Sequence, residues 1–324
     1  MSATAPLLDV RNLTTRFPLR GGVLQRVTGH VHAVEDVSLH IRRGETLGLV
    51  GESGCGKSTV GRSVLRLTEP TAGEIRLDGI DIARLPPRRL RPLRRRLQII
   101  FQDPFSSLNP RLKAGAIVGE ALAIHGLAGR RERERRVAEL FERVGLRPDQ
   151  MQRFPHEFSG GQRQRLAIAR ALIVEPELVV ADESVSALDV SIQASVINLL
   201  VRLQQEMSVA YLFISHDMSV VEHVSHRVAV MYFGRVVEVG ERPDVFAEPL
   251  HPYTEALMSA VPVPDPATRR RKRILLTGEL PSPIDPPPGC PFHTRCPIAE
   301  ARCRSERPVL EEKRPGHWAA CHLR

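Results

Sequence analysis

A glycine-rich segment between an apolar strand and a helix is the feature that most constrains how this chain can fold. The segment Gly51-Glu52-Ser53-Gly54-Cys55-Gly56-Lys57-Ser58 matches the pattern G-x-x-x-x-G-K-[ST], and Thr59 follows it. It lies between the apolar run Thr46–Val50 and a predicted helix over Ser58–Leu67. Glycines at these positions let backbone N–H groups converge on phosphate oxygens, while the lysine reaches the β- and γ-phosphates and the serine hydroxyl reaches Mg²⁺. We therefore interpret residues 51–58 as a phosphate loop and not as a plain glycine-rich turn.

Two acidic residues follow a second apolar strand. Asp182 and Glu183 come directly after the run Leu178–Ala181. A carboxylate at the carboxyl end of a parallel strand lies beside a phosphate loop, so Asp182 is predicted to hold Mg²⁺, usually through water. Glu183 is predicted to orient or deprotonate the attacking water. Alone, the pair would be a solvated strand end; together with the phosphate loop it indicates nucleotide hydrolysis.

A second anion-binding segment precedes a long predicted helix. Ser159, Gly160, Gly161 and Gln162 follow Phe158 and place backbone N–H groups and a hydroxyl at the start of that helix. Two phosphate-binding elements in one chain are explained if two chains pack head to tail. Each phosphate loop would then face the other chain's signature segment, residues 159–162, with ATP between them.

Short apolar strands alternate with helical patterns over most of the chain. This alternation predicts an α/β fold, a parallel sheet with helices on both faces. The segment Leu19–His32 is predicted to be a loop or hairpin insertion because it contains three glycines. Beyond about residue 245 the pattern changes, and prolines crowd residues 262–291. We expect a linker and a small second module there, and no continuation of the sheet.

Charge and hydropathy limit where the chain can act. No apolar run is long enough to span a bilayer, and Met1–Pro6 lacks the basic start and apolar stretch of a signal peptide. A cytoplasmic location is expected, with any membrane role coming through a partner. The formal net charge is +9, and arginines are densest over Arg84–Arg96. A solvated helix face is the plainer interpretation of that run, while nucleic acid or an anionic membrane surface remains an alternative.

These motifs together resemble the nucleotide-binding subunits of ABC transporters, and most closely the oligopeptide/dipeptide importer group. Besides the segments above, the general resemblance rests on Gln102 within Phe101–Pro104, on Ser186–Asp189 and on His216 after the strand Ala210–Ser215. The importer resemblance rests on Phe105–Pro110, on His251-Pro252-Tyr253 and on the proline- and cysteine-rich tail.

The resemblance implies the fold and its divisions. It predicts a P-loop NTPase ABC cassette over residues 1–245, with a RecA-like core and parallel sheet, a β-rich subdomain and a helical subdomain over about 103–175. Residues 246–324 would form a linker and a small Cys-rich C-terminal module, of the peptide-importer type.

The resemblance also implies roles for single residues. Phe17 would stack on adenine, although a core phenylalanine is an equal alternative. Gln102 would contact Mg²⁺ and the attacking water, His216 the γ-phosphate, and Asp189 would couple the two ATP sites. With Glu183, Gln102 and His216 as the catalytic set, the predicted ATP and Mg²⁺ ligands are Phe17, Gly51, Glu52, Ser53, Gly54, Cys55, Gly56, Lys57, Ser58, Thr59, Gln102, Ser159, Gly160, Gly161, Gln162, Asp182, Asp189 and His216.

The sequence departs from the family pattern at two positions. Phe158 opens the signature segment where leucine is usual, and we expect this change to be tolerated because the following residues make the contacts. Ser184 follows the two acids where proline is usual, and proline would stiffen that turn. The geometry of Glu183 is therefore expected to be looser than in the family.

Four of the five cysteines lie near the C-terminus: Cys290, Cys296, Cys303 and Cys321. Their spacing matches neither paired C-x2-C knuckles nor the common ferredoxin patterns, so spacing predicts only four thiols within reach of one another. The segment is short and poor in apolar residues, so we expect it to need a staple. The resemblance implies a [4Fe–4S] cluster there; zinc, or reduced thiols without metal, are the alternatives.

The resemblance implies a transport-coupled ATPase that powers solute import, with dipeptides or oligopeptides as the first expectation. It would work at the cytoplasmic face of the membrane with a second ATPase subunit, two permease subunits and an extracytoplasmic solute-binding protein. The segment Gln102–Pro110 is expected to receive a permease helix through Phe105 and Leu108, unless both side chains pack inside. A soluble ABC-type ATPase acting on nucleic acid is the alternative function, disfavoured by a single phosphate loop and the lack of heptads. The solute, and pairing with itself or with a similar subunit, stay open.

Overall fold

The computed structural model describes residues 5–22, 25–186, 188–261, 274–276, 278 and 281–324, without the side chain of Phe105. These residues form two compact units. The first contains the described parts of 1–40, 46–83 and 215–324, and the second contains those of 41–45 and 84–214. Residues 262–273, which carry most of the predicted linker, lie outside the described ranges.

Strands and helices alternate along the described residues as the pattern predicts. The strands are β1 Leu8–Gly21, β2 Arg26–Ile41, β3 Thr46–Val50, β4 Ala72–Leu77, β5 Ile80–Asp81, β6 Leu97–Ile100, β7 Leu178–Asp182, β8 Ala210–Ser215, β9 Arg227–Tyr232, β10 Arg235–Glu241, β11 Glu311–Arg314 and β12 His317–Ala319. The α-helices are α1 Lys57–Val64, α2 Pro87–Leu90, α3 Pro104–Ser107, α4 Ala114–Ile124, α5 Arg130–Arg143, α6 Gly160–Leu172, α7 Val190–Met207, α8 Met218–Val224, α9 Arg242–Ala247, α10 Pro252–Ser259 and α11 Ala301–Ser305. Within the described parts of the chain, no helix has both the length and the apolar character needed to cross a membrane.

The first unit opens with a four-stranded sheet in the order β2-β1-β4-β5. Strand β1 pairs antiparallel with β4, and its side chains Leu8, Val10 and Leu13 are buried. The described part of the predicted insertion over Leu19–His32 contains the end of β1 and the start of β2, and its three glycines lie in or next to these two strands.

A second sheet of the first unit runs in the order β11-β12-β10-β9-β3. Strands β3 and β9 are parallel and buried along their whole length, as strands covered on both faces are. Strand β10 is antiparallel to β9, and β12 is antiparallel to β10 through the pairs Glu238–Ala319 and Val239–Trp318. The expectation that the tail would not continue the sheet is therefore wrong, because the last strands extend it at one edge.

The second unit contains three parallel strands in the order β8-β7-β6. Helix α6 buries an apolar face that includes Leu166, Ile168 and Leu172, and it contacts α4 and β6. The arginine run forms α2 and a following 3-10 turn, where only Leu90 is buried. Arg96 ends the run and pairs with Glu177. These contacts support the interpretation of the run as a solvated face.

The buried carboxylate of Glu238, on β10, contacts two separate parts of the chain that follows β10. Glu238 has no exposed surface, and its two oxygens accept hydrogen bonds from the backbone N–H groups of Leu250 and His251, both at 2.8 Å. His317 Nε2 lies 2.7 Å from the same carboxylate and donates to it. Burial lowers the pKa of His251 to about 4, so this ring is neutral and its Nδ1 accepts from the Tyr253 N–H. One carboxylate thus fixes the start of α10 and strand β12 together.

We expect Glu238→Ala to lower the free energy of unfolding by about 3 kcal/mol, because it leaves several buried donors without an acceptor. Chemical denaturation of the full chain measures this loss. Glu255→Ala is the matched control, since Glu255 is 44% exposed and pairs only with Arg324 among the contacts on the described residues. Equal stability of the two variants would contradict the role of Glu238.

Candidate functional site

The phosphate loop joins β3 to α1 through a turn that only glycine allows at two positions. Gly51 and Gly56 have φ values of 153° and 104°. A Cβ on Gly51 would overlap the carbonyl oxygen of Met231, and one on Gly56 would overlap that of Ala33. The loop backbone therefore packs directly against the backbones of β9 and β2, which fixes the directions of its N–H groups.

Lys57 is buried within this loop. The residue is only 3% exposed, and its Nζ donates hydrogen bonds to the carbonyl oxygens of Gly51 and Glu52 at 2.8 and 2.9 Å. Helix α1 begins at Lys57, so the positive end of its dipole faces the loop. Gly56, the N-cap residue, has no side chain to cap the first N–H groups. Cys55 is buried beside Lys57, and burial raises the pKa of its thiol. A buried ammonium at a helix N-terminus is a donor set that fits the phosphates of a nucleotide.

His216 also belongs to the first unit. It follows β8, and its side chain is exposed. The next residue, Asp217, caps α8 by accepting a hydrogen bond from the N–H of Ser219 at 2.9 Å. His216 therefore lies between the end of β8 and the N-cap of α8. Its contact with a γ-phosphate remains a prediction.

Gln102 and Glu183 meet in the second unit. Gln102 Nε2 donates to Glu183 Oε2 at 2.9 Å. Glu183 has a φ of 45°, in the left-handed region that costs a non-glycine residue about 1 kcal/mol or more. Its N–H donates to the carbonyl of Ile214 at 3.0 Å, and its carbonyl accepts from Ser186 Oγ at 2.9 Å. These bonds hold the strained backbone, and the bond from Gln102 holds the carboxylate.

Asp182 and Ser184 flank Glu183. Asp182 is 3% exposed, as the last residue of β7. Ser184, which replaces the usual proline, is also buried, and its hydroxyl has no hydrogen-bond partner among the residues that the structure describes. The expectation that the geometry of Glu183 is looser than in the family stays a prediction. The role of Asp182 toward Mg²⁺ remains a prediction.

The signature segment forms a capping box at the start of α6. Ser159 Oγ accepts from the N–H of Gln162 at 3.3 Å, while Gln162 Oε1 accepts from the N–H of Ser159 at 3.0 Å. Gly161 packs so closely on Ile192 of α7 that a Cβ would lie 2.6 Å from it. Phe158 is buried, and its tolerance in place of leucine stays a prediction. The segment is a rigid helix start, and its contact with the nucleotide of a second chain stays a prediction.

Three other residues with predicted roles lie outside the segments above. Phe17 is 41% exposed on β1, so the alternative that it is a core residue is wrong. Asp189 is the N-cap residue of α7 and is exposed. Leu108 is 2% exposed and packs inside. The expectation that its side chain receives a permease helix is therefore wrong. The side chain of Phe105 and all of Ala187 lie outside the described residues.

The four C-terminal cysteines lie near one another. The N–H of Cys290 donates to the carbonyl of Cys303 at 2.9 Å. The pKa of Cys290 is raised to about 11, first by burial and then by the other three thiols. Even so, no group of three or more His, Cys, Asp or Glu in the described part of the chain is arranged to hold a metal ion. The thiols influence one another's pKa values, but the described residues do not form a ready metal site.

Two residues that contact the phosphate loop were missed by the sequence analysis. Tyr253 Oη accepts from the N–H of Glu52 at 2.8 Å, and the guanidinium of Arg295 pairs with the Glu52 carboxylate at 2.7 and 3.0 Å. Both lie beyond residue 245, in the same unit as the loop. Tyr253 belongs to the motif His251-Pro252-Tyr253, but no pattern in the sequence links that motif to the phosphate loop.

Comparison with protein families gives two matches. Residues 34–186 match the ABC transporter family, and residues 237–303 match the C-terminal region of oligopeptide/dipeptide transporters. The first match includes the phosphate loop, the signature segment and the acidic pair. The second includes Tyr253 and Arg295.

Curated relatives match the chain over nearly its full length. It is 54% identical to a probable peptide ABC transporter ATP-binding protein of Sinorhizobium fredii, covering 98% of this chain and 90% of the relative. It is 53% identical to the oligopeptide transport ATP-binding protein AppF of Bacillus subtilis, covering 98% and 97%. It is 60% identical to the glutathione import ATP-binding protein GsiA of Pectobacterium atrosepticum, covering 86% of this chain and 45% of that longer protein.

Solved structures share the fold. One is a dimeric ATP-binding cassette in a post-hydrolysis state with ADP and Pi, with a TM-score of 0.65 and 29% identity over 72% of this chain and 98% of that one. Another is cbiO1 from Clostridium perfringens, part of an ABC transporter complex, with a TM-score of 0.65 and 28% identity over 75% and 91%. The α/β cassette fold expected from the motifs is confirmed by these likenesses.

We expect Lys57→Ala to weaken binding of an ATP analogue at least about tenfold, because a charge-assisted contact to phosphate is lost. Titration of a fluorescent nucleotide into the full chain measures this. Lys113→Ala is the control, since Lys113 pairs with Gln152 on an exposed surface. Unchanged affinity in the Lys57 variant would refute the assignment of the phosphate loop.

Proposed function

The chain belongs to the family of ABC transporter ATP-binding subunits, and from this membership we propose that it powers peptide or oligopeptide import by hydrolysing ATP. The observation that carries the proposal is the combination of a buried Lys57 in the phosphate loop with the Gln102–Glu183 pair. The first binds phosphate, and the second is suited to handle water. Relatives named for peptide, oligopeptide and glutathione import support the solute class. Nothing in the comparisons supports the nucleic-acid alternative.

Each group has one task in the proposed reaction. Lys57 and the loop N–H groups bind and neutralise the phosphates of ATP. Ser58, Gln102 and Asp182 would hold Mg²⁺, which supplies charge neutralisation on the phosphoryl oxygens when it is bound. Glu183 orients or deprotonates the attacking water, and Gln102 holds the Glu183 carboxylate in place through the bond at 2.9 Å. His216 would contact the γ-phosphate.

The proposed assembly contains more than this chain. A second ATPase subunit would supply Ser159–Gln162 to the phosphate loop, and a dimeric cassette among the solved relatives is consistent with this arrangement. Asp189 would couple the two sites, and Phe17 would stack on adenine from its exposed position on β1. Two permease subunits would hold the pair at the cytoplasmic face of the membrane, together with an extracytoplasmic solute-binding protein.

We expect Glu183→Gln to reduce ATP hydrolysis by the assembled transporter at least about 100-fold, because the water loses its base. ATP binding should remain, since the phosphate loop is unchanged. Phosphate release and nucleotide titration measure the two steps separately. Glu206→Gln is the control, because Glu206 forms exposed ion pairs with Arg143 and Arg202. Hydrolysis at the native rate in the Glu183 variant would show that another group is the base.

The four C-terminal cysteines are proposed to bind a [4Fe–4S] cluster. Their mutual proximity supports this, and the lack of a ready metal geometry among the described residues weighs against it. Cys290, Cys296, Cys303 and Cys321 would be the ligands, with a structural or redox-sensing role. Zinc and reduced thiols are the competing states.

Anaerobic purification with metal analysis and a visible absorption spectrum decides among the three states. A brown protein with about four irons per chain is the expected result for a cubane cluster on four thiolates. Replacing Cys303, the most buried of the four, with serine should remove the absorption. A colourless protein, with zinc or without metal, would rule out the cluster and leave the ATPase assignment unaffected.

A further inference from the structure

A charged residue inside the phosphate loop is neutralised from the far end of the chain. Glu52 follows Gly51 and carries a carboxylate into the segment that binds phosphate. Arg295 meets this carboxylate with both terminal nitrogens, at 2.7 and 3.0 Å, and its own side chain is only 8% exposed. A planar, bidentate pair of this kind fixes direction as well as distance. The Glu52 side chain, 27% exposed, is therefore held to one arrangement.

The backbone of the same residue is held by a second residue of the C-terminal module. Tyr253 has no exposed surface, and its hydroxyl oxygen accepts the N–H of Glu52 at 2.8 Å. Tyr253 lies in the first turn of α10, whose start is fixed by Glu238 and by the His251 cap. The motif His251-Pro252-Tyr253 thus places the Tyr253 hydroxyl at the phosphate loop.

Aromatic packing keeps the two contacts rigid. The rings of Tyr232 and Tyr253 are 4.7 Å apart, and Phe292 packs edge-on to Tyr232 at 5.2 Å. The guanidinium carbon of Arg295 lies 5.9 Å from the centroid of the Tyr232 ring, within range of a cation–π interaction. The Glu52 carboxylate raises the pKa of Arg295 above its ordinary value, so the charge is permanent.

The electrostatic consequence concerns nucleotide binding. An unpaired carboxylate beside the phosphates of ATP would repel them, and the repulsion is strong where water is partly excluded. Arg295 neutralises the Glu52 carboxylate, so the Lys57 ammonium does not have to pair with it. We propose that Arg295 and Tyr253 are positioning residues for the phosphate loop, so that the docked C-terminal module sets the affinity for MgATP. The inference rests on the proposed function in assuming that the loop binds ATP.

A double-mutant cycle on the full chain tests the proposal, with MgATP affinity as the readout. Arg295→Met is expected to weaken binding about tenfold in the native background, because Glu52 becomes an uncompensated charge. On a Glu52→Gln background the same change is expected to matter less than about twofold. Arg295→Lys keeps the charge but not the bidentate geometry, and should fall between. Arg302→Met is the control, since Arg302 forms an exposed pair with Glu306 in the same module.

A purely structural role for Arg295 would give a different result. The loss in affinity would then be equal on both backgrounds, and this outcome overturns the proposal, as does native affinity in Arg295→Met. Thermal unfolding of each variant shows whether it is folded. If Arg295→Met does not fold, Arg295→Lys on the two backgrounds gives the same comparison.

Tyr253→Phe tests the second contact without removing a ring. We expect a loss of about threefold or more in MgATP affinity, since one hydrogen bond to the loop disappears. Tyr211→Phe is the control, because the Tyr211 hydroxyl has no hydrogen-bond partner among the described residues. Equal affinities in the two variants would remove Tyr253 from the proposal. A native chain that fails to bind MgATP would instead refute the proposed function.

Discussion

The close approach of backbone to backbone at the phosphate loop is the constraint on which the first unit depends. Gly51 and Gly56 bring the loop so near Met231 and Ala33 that no side chain fits between them. Because β3, β9 and β2 are fixed by their sheets, the loop between them has little freedom. The N–H groups and the Lys57 ammonium are therefore directed before any phosphate arrives. Preorganisation of this kind avoids an entropic cost of ordering at the moment of binding.

Three carboxylates show how the chain places charge where it is needed. Glu238 is fully buried and accepts only hydrogen bonds that shape the fold. Glu183 has a strained backbone conformation, and its carboxylate accepts a hydrogen bond from Gln102. Glu52 would oppose phosphate binding, and a distant arginine neutralises it. The same chemical group thus meets different donors at each position, and in our proposals Glu183 serves the reaction while Glu52 bears on nucleotide binding.

The sequence could predict the elements whose causes are local. Strands β3 and β8 have the bounds expected, because each is a continuous apolar run ended by a turn. The helix start at Ser159 and the loop glycines were equally visible in the pattern. Strand β12 was missed because three residues carry no periodicity, and its pairing with β10 is a long-range contact. The Arg295–Glu52 pair spans 243 positions, and no local rule connects two such residues.

The C-terminal segment has more to hold it than its thiols. A short, proline-rich segment is expected to need a staple, and this expectation favours a metal on the four cysteines. The structure provides other staples: Phe292 is buried among aromatic rings, β12 pairs with β10, and His317 bonds to the buried Glu238. The Arg295–Glu52 pair adds a fourth attachment, this time to the phosphate loop. These contacts hold the segment at several points without the thiols, so a cluster on the four cysteines would add to attachments that the chain already makes.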